Sequence, residues 1–228
     1  MAIILCLETT STNCSVALAA DEAGFKNSLN IKNCLDLKED QSDSYGHGER
    51  LHVFIEEILE RNQLTTKNLD AVAISKGPGS YTGLRIGVAS AKGLCFALDI
   101  PLIAIDTLQS LALQVPKPTN TIIPMIDARR MEVYTAVFQS REKTVDTSAK
   151  ILEEESFDEL LSAGNVTVIG SGANKLQELN EDHSNIYIDC LPSALTMCDL
   201  AIQAYKKSDV VDDIAYFEPY YLKEFRSN

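Results

Sequence analysis

Ile3 to Leu7 is an unbroken apolar run, and after the polar stretch Glu8-Thr9-Thr10-Ser11-Thr12-Asn13 a second run extends from Ser15 to Ala20. Two such runs around a short polar turn predict buried strands joined as a hairpin. A weaker third strand is expected around residues 28–35, with an acidic loop over 36–44. Leu51, Phe54, Ile55, Ile58 and Leu59 then recur at i, i+3, i+4, i+7 and i+8, which paints one stripe on a helix over 48–61. Ala71-Val72-Ala73-Ile74 reads as a strand closed by the turn Gly77-Pro78-Gly79-Ser80, after which Thr82 suits the cap of a helix reaching Leu98. A strand over 102–105 and a helix over 107–115 follow.

A leaner second round succeeds the first. Strands are predicted over 121–126 and 132–138, a helix over 157–163, a strand over 166–169, and a turn at Gly170-Ser171-Gly172-Ala173 that opens another helix. A short strand over 186–188 and a last helix over 194–207 precede an aromatic tail, Pro219-Tyr220-Tyr221-Leu222, expected to dock. The order strand, strand, strand, helix, strand, helix, strand is the ribonuclease-H-like unit that actin-like ATPases use twice. The expected architecture is therefore α/β with an actin-like ATPase fold in two lobes, 1–106 and 107–228, the second smaller and degenerate.

Composition narrows the functions. With 20 Lys and Arg against 33 Asp and Glu, the formal net charge is −13, which repels phosphate backbones and predicts negligible tRNA binding by the isolated chain at physiological salt. The first residues carry no basic leader and no apolar stretch is long enough to span a bilayer, so a cytoplasmic protein that meets no membrane is expected. Cys6, Cys14, Cys34, Cys95, Cys190 and Cys198 form no Cys-x-x-Cys pair and read as reduced thiols. Only His47, His52 and His183 are present, too few and too poorly spaced for a metal centre or a catalytic triad. His47 and His52 are five apart, point away from a shared ligand, and read as surface or interface residues.

Three places have the residue types for chemistry, each with a plainer alternative. The segment from Gly77 to Gly83 joins a strand to a helix, where backbone amides can hold an anion. Gly83 is followed by Leu84-Arg85, so the Lys and hydroxyl of a Walker loop are absent, and a turn and packing element is the favoured reading over a nucleotide cradle. Glu8 ends the first strand where actin-like enzymes place a metal-positioning carboxylate, with Thr9 and Thr10 beside it as nucleotide-binding candidates. A solvated carboxylate capping a turn accounts for Glu8 just as well, and no second acid or base can be placed beside it. Asp127-Ala128-Arg129-Arg130 reads as a charged turn in which Arg129 is the residue to watch.

The helix over 82–98 is apolar on every side, with Arg85 and Lys92 its only charges. Such a helix must be covered all round, either by its own sheet and neighbours or by another subunit. Gly83, Gly87 and Ala91 recur every four residues although an interior Gly costs roughly 1 kcal/mol, which points to close approach of a partner helix. The favoured interface comprises Leu51, Phe54, Ile55 and Ile58 on the first helix with Gly83, Leu84, Gly87, Val88, Ala91, Leu94 and Cys95 on the second. On that reading Gly87→Leu disrupts pairing and leaves the monomer folded.

Leu7-Glu8-Thr9-Thr10, the run Ser75-Lys76-Gly77-Pro78-Gly79-Ser80-Tyr81-Thr82-Gly83-Leu84-Arg85-Ile86-Gly87-Val88-Ala89, Ala91-Lys92-Gly93-Leu94, Ile126-Asp127-Ala128-Arg129 and Pro219-Tyr220-Tyr221-Leu222 together resemble the TsaB family. The resemblance is dense over residues 3–139 and implies a non-catalytic scaffold. Its partner would be a TsaD-type subunit that transfers threonylcarbamoyl to the adenosine 3′ of the anticodon in tRNAs reading ANN codons, with a TsaE-type ATPase alongside. It implies tRNA met only indirectly and no cofactor required by this chain, and it leaves open a homodimer when the chain is alone and ATP at the level of the complex. The family's interface helices correspond to 48–61 and 82–98. TsaD-type proteins carry a His-x-x-x-His metal motif where this chain has Thr107 and Leu111, and Glu8 replaces the usual Asp. Against the scaffold stand two other classes: a kinase-like or metallopeptidase-like enzyme of the same fold, and a stand-alone homodimeric regulatory module.

Overall fold

Strand β1 (Ile3–Glu8) pairs antiparallel with β2 (Cys14–Ala20), and β2 with β3 (Cys34–Asp40); β4 (Ala71–Gly77) and β5 (Leu102–Asp106) continue the sheet in parallel, giving the order β3-β2-β1-β4-β5. These come from a computed structural model that describes residues 2–21, 31–41, 46–115, 121–180 and 184–223. A second five-stranded sheet repeats the plan: β6 (Thr121–Asp127), β7 (Glu132–Gln139) and β8 (Glu142–Ile151) are antiparallel neighbours, and β9 (Val166–Ile169) and β10 (Ile186–Ile188) extend β6 in parallel. Two units with three antiparallel and two parallel strands are the actin-like, ribonuclease-H-like fold that the element order predicted.

The helices fill in as hydrophobicity dictates. On the first sheet, α1 (His47–Arg61) and α2 (Tyr81–Leu98) cover one face. The α1 stripe of Leu51, Phe54, Ile55, Ile58 and Leu59 is buried against Leu5, Leu7, Val16 and Val72, each large side chain contributing about 1.5–3 kcal/mol. Helix α3 (Thr107–Ala112), capped by the Asp106 carboxylate, leads into the second sheet, where α4 (Asp158–Ser162) and α5 (Ala173–Leu179) pack. Helix α6 (Ala194–Lys206) returns to the far face of the first sheet, laying Ala194, Met197, Cys198, Ala201 and Ile202 on Ile4, Cys6, Ala17 and Ile103. After it Val211, Ile214 and Phe217 join the α1–α2 side of that same sheet. The division at residue 106 therefore separates the sheets, but 194–217 belongs with the first lobe, because the apolar face of α6 is long enough to cover a sheet that the first 106 residues leave open.

Two elements differ from expectation. The third strand is Cys34–Asp40, most of which reads as an acidic loop; its charges are tolerated because it is an edge strand, with Lys38 paired to Glu57, Asp40 to Arg50 and Asp36 to Arg61. Of the expected positions, 28–30 and 42–44 lie outside the described residues. Strand β8, unforeseen, is a polar edge whose residues are mostly exposed. Among the described residues no helix is long and apolar enough to cross a membrane.

Candidate functional site

The turn between β1 and β2 lies under the N-terminus of α2, and the glycines of the Gly77–Gly87 segment decide how close the two come. A Cβ at Gly79 would sit 2.5 Å from the Thr10 carbonyl oxygen, one at Gly83 would collide with the Thr9 carbonyl oxygen, and one at Gly87 with the Thr9 hydroxyl. Without side chains there, the Thr9 hydroxyl donates to the Gly83 carbonyl at 2.8 Å and the Ser80 amide donates to the Thr10 carbonyl at 2.7 Å. The glycine row thus faces the chain's own hairpin, and a partner helix cannot reach it. Gly87→Leu consequently damages the monomer, through Thr9 and Ile74, rather than sparing it.

The same seat holds Glu8, Thr9 and Thr10, the nucleotide-binding candidates. Glu8 is 0% exposed, Thr9 and Thr10 are buried with it, and one Glu8 carboxylate oxygen accepts from the Thr10 amide at 2.6 Å and the Thr10 hydroxyl at 2.5 Å. The Thr9 hydroxyl, the Thr10 hydroxyl and the Thr10 amide, which could otherwise face a phosphate, all donate within the protein. The residues present do not fit a nucleotide. From below, the buried His47 ring donates from Nε2 to the Ser11 carbonyl at 2.7 Å, so His47 is a hairpin support rather than a surface group; burial pushes its pKa down, keeping it neutral. His52 is the exposed member of the pair, 3.2 Å from the Ser90 hydroxyl.

Burial drives the Glu8 pKa up, against hydrogen bonds from Ser75 and Thr10 that lower it. A raised folded-state pKa means that the stabilising contribution is full below the ordinary carboxylate range and lost as pH rises through the raised value. Glu8→Gln, which keeps the shape without the charge, is therefore expected to gain stability relative to the parent as pH goes from 5 to 8. Urea midpoints across that range measure the gap; a constant gap would mean that Glu8 ionises freely.

At the strand end next door, the Thr107 hydroxyl lies 2.8 Å from the Ser75 hydroxyl and accepts from the Gly77 amide at 3.1 Å, while Leu111 is fully buried. Neither is a metal ligand. Among the described residues no three His, Cys, Asp or Glu side chains gather as a metal site. All six cysteines are free thiols, and desolvation pushes Cys14 and Cys95 up to about 11 and Cys190 to about 12, so these three stay protonated at neutral pH.

The residues expected to meet a partner occupy the wrong side of their helices. Leu51, Phe54, Ile55, Ile58, Gly83, Leu84, Gly87, Val88, Ala91 and Cys95 are buried within the chain itself, and Leu94 is half-buried against the same core. Helix α2 does have a second apolar face. Ala89, Gly93 and Ala97 recur every four residues and point outward with Phe96, which is 61% exposed, and Val53 of α1 is 46% exposed. Nothing approaches Gly93 within 4 Å. The periodicity that betrays this face was present in the sequence, as a second small-residue row two positions out of phase with the first.

At the tip of the β6–β7 hairpin, Arg129 and Arg130 both take positive φ, 71° and 52°, held by the Arg129 amide donating to Asp127 at 2.6 Å. Asp127 in turn accepts from Lys175 at 2.6 Å. The tail reaches toward this region: the Tyr220 amide donates to the Lys76 carbonyl at 2.7 Å, and Lys223 pairs with Glu132.

The family described as TsaD: tRNA N6-adenosine threonylcarbamoyltransferase matches residues 42–225. The chain is 30% identical to the tRNA threonylcarbamoyladenosine biosynthesis protein TsaB of Haemophilus influenzae, over 96% of this chain and 93% of that one. It is 28% identical to the TsaB of Escherichia coli, over 96% and 94%. Among solved structures, a Pseudomonas aeruginosa protein described as similar to peptidase YEAZ superposes with a TM-score of 0.78 at 25% identity, over 98% of this chain and all of the other. The YeaZ structure from the same organism gives 0.77 at 26% identity, over 97% and 100%.

Proposed function

We propose that this chain, which belongs to the TsaB family of tRNA threonylcarbamoyladenosine biosynthesis proteins, serves that pathway as a non-catalytic subunit that binds a TsaD-type catalytic partner through the outer face of α1 and α2. The observation that carries the reading is the solvent-facing row Ala89, Gly93, Ala97 beside Phe96. Small residues let a second helix backbone approach closely, an exposed aromatic supplies the buried anchor, and Val53 extends the apolar area onto α1. The filled hairpin supports the second half of the proposal. Glu8, Thr9 and Thr10 are buried against the glycine row, so this hairpin serves here to fix α2 at its angle to the sheet. Without a partner the same face is suited to a second copy of the chain.

Co-expression with a TsaD-type subunit, one of the two tagged, tests this. The two are expected to elute together at one-to-one stoichiometry, and threonylcarbamoyl transfer by the partner to depend on this chain. Transfer at full rate without it would overturn the proposal, as would turnover of ATP by this chain alone.

A further inference from the structure

At the N-terminal end of α2, where Arg85 continues the Ala89, Gly93, Ala97 row by one turn, aromatic rings and cations alternate along the seam where the tail crosses from one sheet to the other. The Arg85 guanidinium lies 5.1 Å from the Tyr81 ring centre, and the Tyr81 and Tyr221 rings are 5.1 Å apart at 39°. Tyr81, Tyr221 and Tyr134 line one shallow depression, with the Lys223 ammonium 5.6 Å from the Tyr134 ring centre. Arg129 closes the row, near enough for its charge to act on the Tyr134 hydroxyl. Tyr220 and Tyr221 remain 42% and 37% exposed.

Charge on this seam runs against the rest of the molecule. The chain is at −13 overall, yet Arg85, Arg129 and Arg130 are exposed and make no ion pair among the described residues, while the carboxylate Glu132 is neutralised by Lys223. Glu218, beside Tyr221, is the acid left over. Holding two successive arginines at positive φ costs stability that an Asn-Gly turn would not, and the result is a pair of guanidinium groups projected from a rigid hairpin tip.

We propose that this seam binds an unpaired RNA segment, its bases stacking on Tyr221 and Tyr81 and its phosphates meeting Arg129, Arg130 and Arg85. Base faces stack on tyrosine and on guanidinium planes without regard to sequence, and flanking arginines track the backbone. A duplex hides the base faces this row displays. An acidic peptide would satisfy the arginines but leave the rings unused. The overall negative charge keeps the isolated chain's affinity low, so the seam acts as a second contact once a partner brings the RNA close. The inference rests on the reading of this chain as a subunit of a tRNA-modifying complex.

The test is fluorescence anisotropy of a labelled anticodon stem-loop on the complex with the TsaD-type subunit, across a salt series. For single strands each phosphate contact contributes about 0.7 to the slope of log affinity against log salt, so Arg129→Gln combined with Arg130→Gln is expected to reduce the slope by about 1.4. Tyr221→Ser is expected to weaken binding roughly tenfold. Unchanged affinity and slope in both variants would overturn the proposal. So would an equal loss of affinity for a blunt duplex, or displacement of the RNA by polyglutamate but not by single-stranded oligonucleotide. Sedimentation of the same variants separates the two levels: co-sedimentation with the partner leaves the scaffold reading intact whatever the RNA result, and failure of the parent chain to co-sediment overturns that reading and this inference with it.

Discussion

Gly83→Ala is expected to cost the fold about 3 kcal/mol, enough to lower the melting temperature by roughly 6–12 °C in a chain of this size. In an isolated helix the same change would be favourable by close to 1 kcal/mol. The sign reverses here because the new methyl has no direction of escape. It meets the Thr9 carbonyl oxygen, a backbone atom one residue beyond the last pair of the β1–β2 ladder, Glu8 with Ser15. Moving α2 away breaks the Thr9 hydroxyl to Gly83 carbonyl bond and the Ser80 amide to Thr10 carbonyl bond together, and opens the core beneath Leu84. Gly93→Ala is the matched control, since the added methyl meets nothing within 4 Å and should stabilise by up to about 1 kcal/mol. Urea unfolding of the two variants reads the contrast directly. Equal midpoints would mean that the hairpin does not carry α2.

That contrast also explains which parts of the molecule could be read from residues alone. The two rounds of strands and helices were legible because a strand buried on both faces and a helix buried on one leave different periods in the sequence, as Ile3 to Leu7 and the Leu51 to Leu59 stripe do. Edge elements were not. Leu35 and Leu37 alternate with Asp36 and Lys38 in β3, but the acids Asp36 and Asp40 look like a loop until Arg61 and Arg50 of α1 are placed opposite them. Strand β8 has almost no buried residue to announce it. Helix α2 failed for a subtler reason. Both of its faces are apolar and both contain a row of three small side chains spaced four residues apart, so composition cannot say which row faces the sheet. The choice is made by the Glu8–Asn13 hairpin, which is distant in sequence and whose closeness to Gly83 and Gly87 appears only once β1 and β4 are paired. His47 was misplaced likewise, its polarity suggesting solvent although its one donor is needed by the Ser11 carbonyl.

On the outer face, Phe96→Glu is expected to weaken association with the TsaD-type subunit by about thirtyfold or more while leaving the monomer's stability within about 0.5 kcal/mol of the parent. The two halves of this expectation have separate causes. Phe96 is 61% exposed, so its ring contributes little to the core and a carboxylate in its place is fully solvated in the free chain. In a complex the same position becomes a desolvated pocket, and the carboxylate must either be buried unpaired or hold the helices apart. Ala89 and Gly93 sharpen the effect, because a partner backbone that approaches over small residues has no slack to accommodate a charge one turn away. Helix α2 cannot swing to relieve it, being pinned at its N-terminus to the Thr9–Thr10 turn and along its flank by Lys92, whose ammonium donates to the Ala215 and Phe217 carbonyls at 2.7 and 3.1 Å. Analytical ultracentrifugation of the mixed subunits gives the affinity and urea denaturation of the chain alone gives the stability. If Phe96→Glu unfolded the monomer, the ring would be core; if pairing persisted unchanged, the docking face would lie elsewhere. Loss of pairing in a stable monomer assigns the two sides of α2 their separate duties, one to the sheet and one to the partner.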